Sequence, residues 1–187
     1  MKIAVYSGSF DPLHIGHQAI MECLTGDGDF DWVYLVISPQ SPFKDASKAD
    51  NARERYEAAV QAVIRHPELR VWVDDIEFGM PLPNYTIRTL DALTLREPDN
   101  DFTLVMGADN LAGIRRWKEY RRILTEYGVV VYPREGYDLD AISASLHEED
   151  AEGRYRIEII DAPTINISST RIREGLAAGE DMSGWMM

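Results

Sequence analysis

The stretch Ile3-Ala4-Val5-Tyr6-Ser7-Gly8-Ser9-Phe10-Asp11-Pro12-Leu13-His14-Ile15-Gly16-His17 decides the architecture of this chain. Four apolar residues in a row, Ile3 to Tyr6, predict a strand buried on both faces, where no polar alternation is needed. Ser7-Gly8-Ser9 then supplies the turn residues that end it. Asp11 suits an N-cap and Pro12 a first helical position, which predicts a helix to about Leu24 with Leu13, Ile20, Met21 and Leu24 on its apolar face. The same alternation continues along the chain. Strands are predicted at Trp32 to Ile37, Val71 to Val73, Phe102 to Met106, Val129 to Tyr132 and Ile157 to Ile160. Helical patterns fall at Ala49 to Arg65, Thr86 to Leu95, Trp117 to Tyr127 and Ser169 to Ala178. Strands alternating with helices imply an α/β fold, a doubly wound (Rossmann-like) parallel sheet with helices on both faces. Such sheets hold ligands outside the carboxyl ends of their strands, where strand order reverses.

Composition narrows the partners. A chain of 187 residues, 45% apolar and 27% charged, predicts one globular domain over residues 1–187. The longest apolar run, Trp32 to Ile37, is far too short for a membrane helix, and Met1 to Phe10 lacks the apolar core of a secretory signal, so a cytoplasmic protein is expected. Cys23 is the sole cysteine, which excludes an internal disulfide and a Cys-paired zinc site. The net charge of −13 repels nucleic acid and anionic membrane, so no partner of either kind is expected. The few cations are therefore informative if the substrate is an anion. The acidic run His147 to Glu152 is expected to be a solvated loop.

On the predicted first helix, His14 and His17 lie one turn apart on one face, near the positive end of the helix dipole. Gly8 permits a tight exit from the strand, and Gly16 removes a side chain that would keep a phosphate from the backbone. Together these residues form a phosphate cradle. The same residues leave open a plain helix start with incidental histidines, core histidines, and a metal site, the last lacking a third strong ligand. At the far end, Asn166 to Thr170 can cap the last helix, with Arg171 and Arg173 expected in its first turn, where cations suit a helix end that binds an anion. An ordinary serine cap with solvated arginines is the alternative. Gly107-Ala108-Asp109-Asn110, after the fourth strand, allows close backbone approach at Gly107 and hydrogen bonding at Asp109, or is simply a helix cap.

Residues Gly8 to His17 resemble the phosphate-binding signature of the nucleotidyltransferase superfamily, Gly-x-Phe-Asp-Pro-x-His-x-Gly-His, at every fixed position. Ile167 to Arg173 resembles its second signature, Ile-Ser-x-Thr-x-Ile-Arg. The resemblance implies that His14 and His17 hold ATP phosphates and stabilise the transition state of adenylyl transfer. It further implies that Ser168, Ser169, Thr170 and Arg173 grip the outer phosphates, and that Gly8, Ser9, Phe10, Gly107, Asp109 and Ile167 complete the ATP contacts. Pro83 to Leu90, Trp117-Lys118 and Pro133 to Tyr137, in that order and spacing, are similar to bacterial nicotinate-nucleotide adenylyltransferases, and this likeness covers nearly the whole chain.

It implies that Trp117 stacks on the pyridine ring, that Thr86 and nearby backbone amides hold the nicotinate carboxylate, and that Asp109 seats the nucleotides. Lys44, Tyr85, Lys118 and Arg134 would join the mononucleotide site, with Lys44 binding phosphate from a Pro-rich loop. The implied catalytic set is His14, His17, Lys44 and Arg173, with ATP and nicotinate mononucleotide as partners and Mg²⁺ accompanying ATP. Related transferases acting on phosphopantetheine, use of nicotinamide mononucleotide, and an ATP sensor without chemistry are the alternatives. Oligomeric state is left open, a homo-oligomer included. Phe43 stands where the family often has histidine and Arg88 where it is often acidic. The family usually continues into a short closing helix beyond the point where this chain stops at Met187, so that helix is expected to be missing.

Overall fold

The computed structural model describes residues 1–26, 29–39, 51–163 and 165–187. Its centre is a six-stranded sheet built from β1 (Lys2–Gly8), β2 (Trp32–Ile37), β3 (Val71–Asp74), β4 (Asp101–Gly107), β5 (Val129–Tyr132) and β6 (Ile157–Ile159). All neighbours pair in parallel, in the order β3-β2-β1-β4-β5-β6. The order reverses between β1 and β4, whose register sets Tyr6 beside Val105. That is the crevice where a doubly wound sheet binds its ligand. The expected fold class is the observed one.

Because both sheet faces are covered, Ile3 to Tyr6 of β1 point alternately into different cores yet are all buried. Ala4 and Tyr6 enter one core, with Ile20, Met21 and Leu24 of α1 (Ile15–Thr25) and Ala59 and Ala62 of α2 (Ala52–Ile64). Cys23 packs against this core as a small apolar side chain. Ile3 and Val5 enter the opposite core, with Leu90 and Leu93 of α3 (Thr86–Arg96), Leu111 of α4 (Ala108–Ala112), and Leu146 of α6 (Leu139–His147). The last helix, α7 (Ser169–Ala177), packs its buried Ile172 with Ile167 and Met182.

Four details depart from the sequence expectation. The first helix begins at Ile15 with His14 as its extended N-cap; Asp11 is not the cap, and Pro12 lies outside the helix. Tertiary contacts explain this, since the Asp11 and Pro12 carbonyls accept hydrogen bonds from Arg173 and Ser169 of α7 and hold the segment as a turn. Trp117 to Tyr127 is not one helix: Trp117 is extended, Glu119 is left-handed (φ 52°), and only α5 (Tyr120–Arg122) and a π-helical turn (Ile123–Tyr127) follow. Arg122 fixes that turn by binding Asp91, Glu119 and Glu126 together.

Arg173 is the fifth residue of α7 and so lies just beyond its first turn. Finally, the acidic run is not a plain solvated loop. It begins in α6, which Asp138 caps by accepting from the Ala141 amide at 3.0 Å, and Glu149 pairs with Arg115 and accepts from the Tyr120 hydroxyl. Lys44, and the predicted helix start at Ala49, lie outside the described residues.

Candidate active site

Past the end of β1 the chain passes through Ser9 and then Phe10 at φ 44°, a backbone region that non-glycine residues seldom occupy. Phe10 is held there by burial and by edge-on contacts with the rings of Tyr6 (5.2 Å) and His17 (5.1 Å). Arg55, a buried cation from α2, secures the outside of the turn by donating to the carbonyls of Ser9 (2.5 Å) and Ser38 (3.1 Å). The chain end lies against the same segment, where Met186 pairs with His14 in an antiparallel bridge.

His14 and His17 stack with ring centroids 3.6 Å apart. The His14 backbone N–H donates to His17 Nδ1 at 3.2 Å, which assigns the His17 proton to Nε2. Burial, then the neighbouring Arg134 cation, lowers His14 to about 4; burial, then His14 and Arg134, holds His17 well below the usual histidine range. Both imidazoles are therefore neutral near pH 7, and His17 can still donate an N–H. His14 Nδ1 is buried without a partner among the described residues. At Gly16 an added Cβ would sit 3.0 Å from that nitrogen, so glycine lets the pair close up.

The far end of the chain meets this segment. Ser168 caps α7 through the Arg171 amide, Ser169 Oγ donates to the Pro12 carbonyl at 2.9 Å, and Arg173 Nη1 donates to the Asp11 carbonyl at 2.6 Å. Arg173 also reaches the Thr170 hydroxyl, whereas Arg171 turns away to pair with Glu180. The two signature segments thus dock directly on one another.

Beside them opens a cavity of about 600 Å³. Of the residues singled out from the sequence, Gly8, Ser9, Phe10, His17, Tyr85, Thr86, Trp117, Lys118, Arg134 and Ser169 line it. A smaller adjoining recess takes in His14, Gly16 and Ile167 and shares His17 and Arg134 with the cavity. Gly107, Asp109, Ser168, Thr170 and Arg173 line neither space. Gly107 instead makes room for the Asp109 carboxylate and the Tyr132 ring, and Asp109 stands 3.8 Å from Arg134.

The opposite wall comes from α3. Tyr85 is its extended N-cap and Thr86 its first residue, where first-turn amides lack intrahelical acceptors. Lys118 Nζ lies 4.8 Å and the Arg88 guanidinium 5.2 Å from the Tyr85 ring centre. Arg88 therefore braces Tyr85. Arg116, Lys118 and Arg134 make this cleft locally positive in a strongly negative protein.

Sequence reasoning missed Arg55, Glu77 and Tyr132. Glu77, which lines the cavity, is the only acidic residue there among the described residues. Burial pushes its carboxyl up, while hydrogen bonds from Ser38, Thr89 and Ser7 pull it back. Its signal was a lone Glu in Asp75-Ile76-Glu77-Phe78, indistinguishable from a surface residue before the topology is known. Among the described residues no three His, Cys, Asp or Glu side chains form a metal cluster.

A reversal point of strand order flanked by a helix start and a positive cleft is the architecture of a nucleotide-binding α/β protein. The Cytidylyltransferase-like family model matches residues 5–175. A probable nicotinate-nucleotide adenylyltransferase of Flavobacterium psychrophilum is 38% identical over 176 residues, covering 94% of this chain and 86% of that protein. One from Porphyromonas gingivalis is 37% identical over 189 residues, covering 100% and 89%. The Plasmodium falciparum nicotinic acid mononucleotide adenylyltransferase complexed with NaAD superposes with a TM-score of 0.78 at 17% identity, over 99% of this chain and 90% of that one. The chain belongs to the cytidylyltransferase-like nucleotidyltransferases and, within them, to the nicotinate-nucleotide adenylyltransferase family.

Proposed function

We propose that this chain, acting as a single nucleotidyltransferase domain, transfers the adenylyl group of ATP to nicotinate mononucleotide, releasing pyrophosphate, as a cytoplasmic enzyme of NAD biosynthesis. The observation that carries the reading is the meeting of the two signature segments beside a cavity that also holds Tyr85, Thr86 and Trp117. The 5′-phosphate of the mononucleotide attacks the α-phosphorus of ATP, and the bond from that phosphorus to the β-bridging oxygen breaks. The nucleophile is already an anion, so no strong base is needed. Positioning and charge stabilisation carry the rate.

His17 Nε2–H is a donor for the phosphoryl oxygens, and the neutral ring supplies it without further protonation because Nδ1 already accepts from the His14 N–H. Arg134, lining both spaces, supplies a fixed cation between the two nucleotides. Arg173 is assigned to the triphosphate while also holding the Asp11 turn, and Lys44 to the phosphate of the mononucleotide. Trp117 offers a face for the pyridine ring. The α3 amides with Lys118 and Arg116 favour a carboxylate over a carboxamide on that ring. Mg²⁺ arriving with ATP would neutralise the leaving pyrophosphate, and among the described residues no acidic cluster competes for it. Incubation with ATP, Mg²⁺ and either mononucleotide tests the reading: pyrophosphate release should be faster with nicotinate than with nicotinamide mononucleotide. Equal rates would refute the specificity, and no release with either would refute the reaction.

A further inference from the structure

Glu77 is 3% exposed, and no Lys, Arg or His among the described residues forms an ion pair with it. Hydroxyl groups solvate it instead. Oε2 accepts from Ser38 Oγ at 2.6 Å, and Oε1 accepts from Thr89 Oγ1 at 2.8 Å and, more weakly, from Ser7 Oγ at 3.4 Å. The Glu77 carbonyl accepts from Asn84 Nδ2 at 3.2 Å. One carboxylate thus ties the ends of β1 and β2 to the first turns of α3.

A hydroxyl has a single proton and two lone pairs. With the carboxylate oxygens accepting those protons, Ser38 and Ser7 turn lone pairs toward the cavity that both of them line. They can then only accept hydrogen bonds from a ligand. The carboxylate and phosphate of a nicotinate nucleotide are acceptors too, and its only strong donors are the 2′- and 3′-hydroxyls of its ribose. We infer that Ser38 and Ser7, held as acceptors by Glu77, form the subsite for the ribose hydroxyls of the mononucleotide. This rests on the proposed function. It gives the substrate its direction: acceptor serines face the sugar, while the α3 amides and Lys118 face the ring carboxylate. Glu77 acts as a positioning residue, through the serines.

The test compares nicotinate mononucleotide with its 2′-deoxy and 3′-deoxy analogues in steady-state dinucleotide formation by the wild type, Glu77→Gln and Ser38→Ala. The wild type should lose about tenfold in kcat/KM on at least one deoxy analogue, the effect of one hydrogen bond. Glu77→Gln, whose amide donates where the carboxylate accepted, should raise KM for the natural mononucleotide about tenfold while leaving KM for ATP within about twofold. In both variants discrimination between ribose and deoxyribose should shrink to about twofold. Ser38→Ala, at a half-buried position, keeps the test decisive if Glu77→Gln folds poorly. A merely structural Glu77 would weaken all three substrates equally and preserve discrimination, which would overturn the inference. A wild type indifferent to both deoxy analogues would do the same. Absence of dinucleotide from the wild type with the natural substrate would instead remove the proposed function, before any variant is compared.

Discussion

The two halves of the cleft are built in different ways. The phosphate half is local: ten consecutive residues, Gly8 to His17, make a turn and a helix start, and α7 clamps that turn through Ser169 and Arg173. The pyridine half is dispersed. Glu77, Tyr85-Thr86 and Arg116 to Lys118 come from separate stretches that the sheet topology gathers around one cavity. Charge is handled differently as well, since the phosphate half presents neutral, buried imidazoles and the pyridine half an exposed rim of cations around a buried carboxylate. Catalysis should therefore depend most on the first half and substrate choice on the second.

The largest effect expected of that division is at His17. His17→Ala should lower kcat about a hundredfold or more while changing KM for the mononucleotide little, with an unchanged far-UV circular dichroism spectrum. A variant that kept full turnover would erase the distinction between the halves. Trp117→Ala should produce the reverse pattern, raising KM for nicotinate mononucleotide about tenfold through lost stacking while KM for ATP stays put. Parallel increases in both constants would mean that the two nucleotides share Trp117. Ser169→Ala removes one bond between α7 and the Pro12 carbonyl, a net loss of about 1 kcal/mol. Thermal unfolding should then fall by a few degrees, with KM for ATP rising severalfold. An unchanged midpoint would show that the clamp rests on Arg173 alone.

A further effect concerns pH. His14 titrates near 4 in the folded protein against 6.5 for an ordinary histidine. Between these values the unfolded chain binds protons that the folded chain does not, so stability rises with pH through the window and is lost on acidification. Denaturant midpoints at pH 7 and pH 5 should fall further apart for the wild type than for His14→Ala, and equal losses would contradict the assigned burial.

The same division explains what the sequence could reveal. Period and turn chemistry located all six strands, five of them as largely buried apolar runs and the exposed edge strand β6 from its isoleucines, but the spatial order β3-β2-β1-β4-β5-β6 is a product of packing. The contiguous signature was legible as local pattern too. Helix starts were less so: Asp11-Pro12 has the local chemistry of a cap, but α7 holds its carbonyls and delays α1 to Ile15. The π-helical turn after Trp117 depends on Arg122 gathering three acids, one of them Asp91 from a distant helix. Helix α6 was missed although Asp138 caps it, since its apolar residues Leu139, Ile142 and Leu146 are few. Glu77 and Arg55 carried no local signal, for their roles exist only once β1, β2, α2 and α3 are packed.

The account turns on one cleft holding both nucleotides at the β1–β4 reversal. A crystal structure with the dinucleotide product tests it most directly. The account predicts a phosphate within hydrogen-bond reach of His17 Nε2 and the pyridine ring against Trp117. A product bound away from these residues, or with the ring at the histidine end, would contradict it.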